Sequence, residues 1–230
     1  MKHVIVVGAG IVGLSVSKAL LDKGYRVTLL DESQPGSGTS SGNAGLIANY
    51  ATTPLANPDS LRSMLTEIIR SKRALSIAPR YLTELTGFGR AFLRAIGNGP
   101  FTENKRTLVE LVARGTLLQQ QLLKSLGSDE IYQTKGCLQV FRQVPAMGPQ
   151  LAELATAKQR DGVQCEVLDR EALLKLEPGL NPQGLEGGLW YPDTWSLRHP
   201  RQLCTQLHEQ LLRQGLDYQP LAAYSVKQVG

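Results

Sequence analysis

The first 31 residues alternate between apolar runs and an amphipathic stretch. The run at residues 4–7 and the run Arg26–Leu30 both have the length of a strand, and the second is nearly all apolar, as is typical of a parallel strand covered on both faces. Between them, residues 11 to about 23 have helical spacing, and Gly24 ends the segment. The predicted buried stripe of this helix is Val12, Val16, Ala19 and Leu20. The order strand, helix, strand predicts an α/β fold with a Rossmann-like, doubly wound sheet.

The middle of the chain, residues 59–126, has helical periodicity and prolines that divide it into segments. One segment ends at Gly97, and a longer one runs from about Glu103 to Gly127. The apolar stripes are Leu61, Met64, Leu65 and Ile68, then Leu85, Phe88, Phe92 and Ile96, then Leu108, Leu111, Val112, Leu118, Leu122 and Leu126. We interpret all three stripes as core faces of a helical insertion.

After Gly127 the pattern predicts alternating strands and helices. Asp169 is placed to cap a short helix, and Pro200 opens a longer one that ends at Gly215. The predicted strands are GCLQVF, 163–168, GGLWYP, 216–219 and 225–229, and the predicted helices are 150–162, 170–177 and the one with Leu203, Leu207 and Leu211 on one face. The predicted domains are 1–55, a first part of a nucleotide-binding domain; 56–195, a helical insertion with part of a substrate domain; and 196–230, a second part of the nucleotide-binding domain.

A glycine triplet follows the first predicted strand. Gly8 allows a tight turn, Gly10 lacks the Cβ that would block a pyrophosphate, and Gly13 lets the helix pack close to the strand. Asp31, at the end of the second strand, is at the position where a carboxylate accepts hydrogen bonds from a ribose. A glycine turn in an unrelated α/β unit is the alternative, but the strand, helix and acid together favour dinucleotide binding. The motif alone does not choose between flavin and nicotinamide nucleotides.

Composition and charge exclude several classes of protein. The chain of 230 residues is 42% hydrophobic, and its one apolar run near the amino terminus is too short to span a bilayer, so we expect a cytoplasmic protein. Cys137, Cys165 and Cys204 are far apart and predict buried free thiols. Neither the cysteines nor the three histidines have metal-binding spacing, and no motif for nucleic acid is present.

Positive charge is concentrated in one region. The net charge is +5, and residues 62–106 contain nine Lys or Arg against three acidic residues. A solvated basic face is the simplest interpretation, and peripheral contact with the inner membrane or attraction of a carboxylate substrate stays open.

The segment after Asp31 is unusually rich in small residues. SQPGSGTSSGNAGLIA, residues 33–48, is too rich in Gly, Ser and Thr for a regular element, yet it ends in residues that can be buried, which is typical of a loop against a ligand. Together with VIVVGAGIVG and the pair Asp31–Glu32, it resembles the opening of the D-amino acid oxidase and glycine oxidase superfamily of flavoenzymes. Asn-Ala-Gly is most similar to bacterial D-amino acid dehydrogenases, and the resemblance continues through KGCLQVF, LDREALLKLEPGL and GGLWYP.

The resemblance implies FAD as the cofactor and assigns its contacts position by position. The residues it implies are Gly8, Gly10, Ile11, Val12 and Gly13 for the diphosphate; Asp31, with Glu32 beside it, for the ribose; Thr39, Ser40, Ala44, Gly45 and Leu46 for the loop toward the flavin; and Val226 for the adenosine end. Asn43 matches the dehydrogenase-like motif and is expected only to lie close by. The strand with Trp190 and Tyr191 is implied to line the substrate side, although an aromatic pair at the edge of the core explains it equally well.

The implied reaction removes a hydride from the α-carbon of an amino acid and yields an imino acid, with a quinone or oxygen as the final acceptor. No catalytic residue can be assigned. PDTWSLRHP departs from the pattern of the D-amino acid dehydrogenases, and the later strands and the residues that clamp the substrate carboxylate have no counterpart. We therefore expect little turnover from this chain alone, with an open sheet edge and one bare face. The alternatives are a nicotinamide-dependent reductase, or a non-catalytic fragment or subunit that binds nucleotide when a partner supplies the missing half.

Overall fold

The structure is a computed structural model that describes residues 2–62, 81, 85–127, 130–142, 147–225 and 227. The chain divides into two compact units. Unit 1 comprises Met1–Ile47, Leu118–Cys137 and Pro192–Gly230, and unit 2 comprises Ala48–Leu117 and Leu138–Tyr191. The domain boundaries at residues 55 and 195 stay a prediction.

Unit 1 is built on a parallel sheet of three strands. Strand β1 (His3–Val7) pairs with β2 (Arg26–Leu30), and β2 pairs with β9 (Asp217–Gln219). Strand β2 is central because it pairs with β1 on one side and with β9 on the other, and its residues Val27, Thr28 and Leu29 are buried. Among the described residues, β1 has no partner on its other side, so the predicted open edge is confirmed.

Two helices cover one face of this sheet. Helix α1 (Ile11–Asp22) and helix α6 (Pro200–Arg213) both contribute to the main core of unit 1. The buried residues of this core are Ala9, Leu14, Val27, Leu29, Cys204, Leu207, Leu211 and Leu216. The face of α6 predicted from its leucines is confirmed, because Leu203, Leu207 and Leu211 are all buried.

The predicted stripe of α1 is wrong at three of its four positions. Val12, Val16 and Ala19 are exposed, Leu20 packs against the core as predicted, and Leu14 and Ser17 are completely buried. The close approach of Gly13 to the glycine turn rotates the helix so that Leu14 and Ser17 face inward. Apolar spacing does not reveal this stripe, because one of its core positions is a serine.

None of the described helices covers the opposite face of the parallel sheet. Ile5 and Val7 point to this face and are 58% and 57% exposed, which confirms the predicted bare face. A row of polar contacts crosses its amino-terminal part: Arg26 Nη2 lies 3.1 Å from His3 Nδ1, His3 Nε2 lies 2.9 Å from Thr28 Oγ1, and Thr28 Oγ1 donates to Asp217 Oδ2 at 2.8 Å. The face is therefore polar at the start of its strands, and β1 and β2 end on it in the apolar residues Val7 and Leu30.

A small antiparallel sheet completes unit 1. Strand β8 (Trp195–Leu197) lies between β3 (Leu46–Ile47) and β4 (Tyr132–Gln133). Neither β3 nor β8 was predicted, because each is only two or three residues long. The segment 33–48 is otherwise irregular, as predicted, apart from a 3₁₀ turn at Thr39–Ser41.

In the predicted helical region, the described residues form α2 (Leu85–Ile96), α3 (Asn98–Ser125) and a helical stretch at residues 58–62. Helix α2 ends before Gly97, as predicted, and α3 begins five residues earlier than predicted, with Pro100 in its first turn. The interpretation as core faces is wrong for α2, none of whose residues is buried, and for Leu111 and Leu118 of α3, which are exposed. It is confirmed at the end of α3, because Leu122 and Leu126 pack against the cores of unit 1. The first predicted stripe falls largely outside the described residues, at Met64, Leu65 and Ile68.

The remainder of unit 2 includes a three-stranded sheet, in which β6 and β7 are antiparallel, and two helices. Strand β7 (Leu185–Tyr191) lies between β5 (Cys137–Arg142) and β6 (Glu166–Asp169), and the helices are α4 (Met147–Arg160) and α5 (Arg170–Leu176). The predicted cap is confirmed, because Asp169 accepts a hydrogen bond from the Ala172 amide at 2.8 Å. The strand predicted at 225–229 lies largely outside the described residues.

No helix in the described part of the chain has the length and apolar character that crossing a membrane requires. The three cysteines are free thiols, as predicted: Cys165 and Cys204 are buried, and Cys137 is half-buried.

Candidate nucleotide-binding site

The glycine turn between β1 and α1 has the backbone that the triplet predicted. Gly8 has a φ of 99°, a conformation that favours glycine, and its amide donates to the Leu30 carbonyl at 2.7 Å. A Cβ on Gly13 would fall inside the van der Waals radius of the Gly8 carbonyl oxygen. Gly8 and Gly13 are therefore required by the fold itself, whether or not a nucleotide is bound.

Gly10 has a different role in the turn. Its φ of −74° is accessible to any residue, and a Cβ there would meet a single neighbour, the hydroxyl of Ser40, at 3.1 Å. The fold alone therefore does not require glycine at this position. The absence of a side chain leaves room for a ligand next to the start of the helix.

The first amides of α1 point out of the helix end. The Leu14 amide donates to the Gly10 carbonyl at 3.0 Å, so the amides of Ile11, Val12 and Gly13 precede the first helical hydrogen bond. Ile11 donates instead to Ser40 Oγ at 3.0 Å. These amides, with the positive end of the helix dipole, are suited to an anion such as a phosphate.

Asp31 is directed toward the glycine turn. Its Oδ2 accepts from the Ala9 amide at 2.7 Å, and its Oδ1 accepts from the Ser33 amide at 2.8 Å. Tyr218 donates to the Ser33 carbonyl at 2.9 Å, and burial raises the pKa of this phenol, with a further increase from the Asp31 charge. The carboxylate is thus fixed beside the turn, with lone pairs left to accept hydrogen bonds from a ligand.

Asn43 holds the small-residue loop in shape. Its Nδ2 donates to the Ser40 carbonyl at 3.0 Å, and its Oδ1 accepts from the Gly45 amide at 2.7 Å. Gly45 has a φ of 69°, and its carbonyl accepts from the Leu197 amide at 2.7 Å. The loop is therefore fixed to strand β8, and it is not a flexible linker.

A cavity of about 250 Å³ in unit 1 brings several predicted residues together. The predicted residues that line it are Ile11, Ser40, Asn43, Ala44, Gly45 and Leu46. The lining residues that sequence reasoning missed are Ile47, Gln119, Leu197, Pro200, Leu203 and Cys204. Burial raises the pKa of the Cys204 thiol, with Ser40 acting in the opposite direction.

The other predicted residues lie away from this cavity. Gly8, Gly10, Gly13 and Asp31 form the turn itself, and Val226 lies outside the described residues. The remaining predicted residues, Val12, Glu32 and Thr39, are exposed. Of the missed residues, Cys204 gave the clearest signal in the sequence, as a thiol predicted to be buried on the helix after Pro200.

Unit 2 has its own cavity, of about 340 Å³, beside the predicted aromatic pair. Tyr191 is completely buried, its ring stacks on Tyr50 with centroids 4.4 Å apart, and its hydroxyl donates to Gln139 at 3.1 Å. Lys158 Nζ donates to the Tyr50 carbonyl at 2.7 Å, and burial lowers the pKa of this lysine. These contacts show Tyr191 as part of the core of unit 2, and its role toward a substrate stays a prediction.

Comparison with known proteins identifies the class. Residues 3–219 match the family described as FAD dependent oxidoreductase, and the chain belongs to this family. It is 30% identical over 224 residues to a D-amino acid dehydrogenase of Vibrio cholerae serotype O1, covering 95% of this chain and 52% of the relative. A D-amino acid dehydrogenase of Allorhizobium ampelinum is 29% identical over 195 residues, covering 82% of this chain and 45% of the relative.

Solved structures with the same fold include glycine oxidase from Geobacillus kaustophilus, with a TM-score of 0.57, 18% identity, and coverage of 95% of this chain and 47% of that one. L-proline dehydrogenase from P. horikoshii has a TM-score of 0.56, 15% identity, and coverage of 94% and 43%. The Rossmann-like fold class and the resemblance to the D-amino acid oxidase superfamily are confirmed. The chain spans about half the length of the curated relatives it matches.

The family is FAD-dependent, and the fold is shared with an L-α-glycerophosphate oxidase from Mycoplasma pneumoniae solved with FAD bound, at a TM-score of 0.54 and 19% identity, covering 95% of this chain and 44% of that one. This confirms FAD as the cofactor predicted from the sequence. The residues present fit such a group in two respects: α1 offers amides outside its own hydrogen bonding, and Gly10 leaves open the space that a Cβ would occupy.

Proposed function

We propose that the protein is a FAD-dependent dehydrogenase of D-amino acids, and that this chain supplies the part of the site that holds the dinucleotide. The observation that carries the proposal is Gly10, a glycine that the fold does not require, at the start of a helix whose first amides are directed outward. The similarity to D-amino acid dehydrogenases supports the substrate class.

The amides of Val12 and Gly13 would hold the diphosphate, and Gly10 would allow it to approach the backbone. Asp31, already fixed by the Ala9 and Ser33 amides, would accept hydrogen bonds from the ribose. Ser40 would rotate its hydroxyl from the Ile11 amide toward the incoming phosphate.

The rest of the loop would line the path toward the flavin. Its residues are Thr39, Asn43, Ala44, Gly45 and Leu46, with Glu32 beside the ribose and Val226 near the adenosine. The bonds of Asn43 to Ser40 and Gly45 would keep the loop in one conformation, so that little ordering is needed when the cofactor binds.

Bound FAD supplies an acceptor for the hydride that leaves the α-carbon of the amino acid, and the product is an imino acid that water hydrolyses. The described residues of this chain contribute by binding and orientation. Ile11, Leu46 and Leu203 make part of the cavity wall apolar, which limits access of water to that side.

The experiment compares two glycine variants of the protein. Gly10→Ala places a methyl group where the diphosphate would approach, and the backbone of Gly10 accepts alanine without strain. Gly42→Ala is the matched control, because Gly42 has a φ of −104° and a ψ of 9°, which alanine can adopt, and a Cβ there would meet no atom within 4 Å. Bound flavin is measured by absorbance and by release on denaturation, and reduction of a dye is measured with D- and L-amino acids.

We expect Gly10→Ala to fold and to lose bound flavin by at least about tenfold, as one lost close contact of this kind predicts. Gly42→Ala should retain its flavin. Equal flavin content in the two variants would contradict the placement of the diphosphate. Quenching by NADH in a protein without flavin would instead favour the nicotinamide alternative, and reduction by L-amino acids alone would contradict the substrate class.

The final electron acceptor is either a quinone or oxygen. Oxygen uptake with formation of hydrogen peroxide during turnover identifies oxygen. Turnover that depends on an added quinone analogue under air, without peroxide, identifies the quinone.

A second candidate is a nucleotide-binding half that requires a complementing polypeptide. The bare face of the parallel sheet, with Ile5 and Val7 exposed, favours it, because parallel sheets in α/β proteins are covered on both faces. The occupant would be the polypeptide that corresponds to the part of the relatives that the match leaves out.

The test is co-expression of this chain with that part of the Vibrio cholerae relative. We expect co-purification and a gain of bound flavin, both lost in the double variant Ile5→Lys and Val7→Lys. Full flavin content and turnover of the 230-residue chain alone would rule out this second candidate.

A further inference from the structure

A half-buried lysine lies at the wall of the cavity in unit 2. Lys158 Nζ donates to the Tyr50 carbonyl at 2.7 Å. It also lies 3.3 Å from the hydroxyl oxygens of both Thr52 and Thr53. Because Lys158, Tyr50 and Thr53 all line the cavity, the ammonium group lies at its edge. In the described contacts its three donors therefore meet neutral oxygen atoms, two of them at long distances.

The charge of Lys158 has no carboxylate within ion-pair distance in the part of the chain that the structure describes. The carboxylate of Asp161 acts on it from farther away, but Asp161 is already paired with Lys105 at 2.9 Å. Burial lowers the pKa of Lys158, and the Asp161 charge acts in the opposite direction. Because a cation withdrawn from water is unfavourable without an anion, an anionic ligand beside Nζ would stabilise it.

The remaining wall of the cavity determines the body of such a ligand. The volume of about 340 Å³ is within the range of small-molecule sites. Most of the lining side chains are aromatic or aliphatic: Tyr50, Phe141, Leu154, Leu189 and Tyr191. The ligand must therefore be compact and apolar apart from its anionic group. A carboxylate on a branched or aromatic group has this chemistry.

The charges of the lining disfavour amino acids as ligands. The described lining residues include no Asp or Glu, and Lys158 is the one charged side chain among them. The α-ammonium group of an amino acid would lie close to Lys158, with no carboxylate to pair with, and like charges repel each other. An acid with the same carbon skeleton but no amino group avoids this repulsion.

We propose that the cavity of unit 2 binds a small apolar carboxylate that lacks an amino group, and that Lys158 pairs with the carboxylate. Nζ exchanges its long contacts with the threonine hydroxyls for a charge-assisted hydrogen bond to the ligand. This inference does not rest on the proposed function, because the cavity is lined by residues of unit 2 and the glycine turn belongs to unit 1.

The test is calorimetric titration of the full chain with four compounds that share one branched carbon skeleton. The compounds are isocaproate, α-ketoisocaproate, isocaproamide and L-leucine. We expect the two acids without an amino group to bind. Isocaproamide and L-leucine should bind at least about tenfold more weakly, because the amide lacks the negative charge and leucine adds a positive one.

Variants of the lysine test the charge itself. Lys158→Met should weaken the binding of isocaproate by at least about tenfold and leave that of isocaproamide unchanged, because it removes the cation and keeps a long apolar side chain. Lys158→Arg should restore part of the affinity. Lys175→Met is the matched control, since it removes the same charge at an exposed position of unit 2, and it should bind isocaproate as the unchanged chain does.

A second variant tests the cavity without changing any charge. Ala51 is exposed and lines the cavity, so Ala51→Phe fills part of the space with little effect on the fold, and it should abolish the binding of isocaproate. Circular dichroism and the thermal midpoint verify folding, and this variant decides the question if Lys158→Met does not fold. Gly10→Ala should bind isocaproate normally, because the ligand does not depend on flavin.

Several results would overturn the proposal. They are the absence of binding by both acids, binding of isocaproamide or L-leucine as tight as that of isocaproate, an equal loss in Lys175→Met and Lys158→Met, and full binding by Ala51→Phe. Loss of isocaproate binding in Gly10→Ala, with binding retained in Lys158→Met, would place the ligand at the flavin instead.

Discussion

Helices α1 and α2 have the same length and comparable apolar spacing, yet their surroundings differ completely. In α1, Leu14 and Ser17 are fully buried against the parallel sheet, whereas α2 buries no residue. The difference comes from the backbone next to each helix. Gly13 brings α1 into contact with the glycine turn, and α2 has no comparable close approach at its own glycines, because a Cβ on Gly87 or Gly89 would meet no atom within 4 Å.

The comparison shows what periodicity can and cannot predict. An apolar stripe indicates which side of a helix avoids water, but it does not identify what covers that side. Glycines with a steric reason to be glycine provide the missing information, because they mark where two backbones meet.

The largest expected effect compares buried and exposed leucines. Leu14→Ala should lower the free energy of unfolding by about 3 kcal/mol, because Leu14 is completely buried in the core of unit 1. Leu93→Ala, on the exposed side of α2, should change it by less than about 0.5 kcal/mol. Urea denaturation followed by circular dichroism measures both, and similar losses would mean that α2 is covered after all.

A smaller effect on the free energy of unfolding is expected when two helical glycines, Gly13 and Gly115, are each replaced by alanine. Gly13→Ala should lower the free energy of unfolding by about 2 kcal/mol, because the new methyl group collides with the Gly8 carbonyl. Gly115→Ala in α3 should raise it by up to about 1 kcal/mol, since a Cβ there meets no atom within 4 Å and alanine favours a helix. The same denaturation measurement applies, and a stable Gly13→Ala variant would contradict the close approach described for α1.

The smallest expected effect is a pH dependence of stability that comes from His208, a residue of α6. Burial lowers the pKa of His208, with Glu209 acting in the opposite direction, and the ring packs edge-on against Tyr218 at 4.8 Å. The unfolded chain then binds the proton at a higher pH than the folded chain, so stability falls as the pH decreases through the ordinary histidine range near about 6.5.

His208→Gln should reduce this loss of stability between about pH 8 and about pH 5.5, and His199→Gln, at an exposed position, is the control. Thermal midpoints at the two pH values measure the change. An unchanged pH dependence in His208→Gln would show that the buried ring does not control it.

The sequence predicted well those features of both units that have a local reason. The strands at Arg26–Leu30 and GGLWYP, the cap at Asp169 and the buried face of α6 follow from spacing and from single residues whose geometry is restrictive. FAD was predicted correctly because the glycine triplet and the loop after Asp31 occur together, and the family match confirms it.

The remaining features depend on long-range contacts that spacing does not encode. Strands β3 and β8 are too short to have a pattern, and they exist because Gly45 and Leu197 pair across 152 residues of sequence. The inward position of Ser17 depends on the rotation that Gly13 permits, and Gln119 lines the cavity together with residues distant in sequence, such as Ile11 and Leu197, which helical spacing does not indicate.

The polar row His3–Thr28–Asp217 makes the two ends of the uncovered sheet face chemically different. A segment that packs on this face must place hydrogen-bonding groups above the beginnings of the strands. It must place apolar side chains above Ile5, Val7 and Leu30. A helix that docked in the opposite orientation would bury His3 and Asp217 against methyl groups. The polar row therefore gives any segment that docks on this face a preferred orientation.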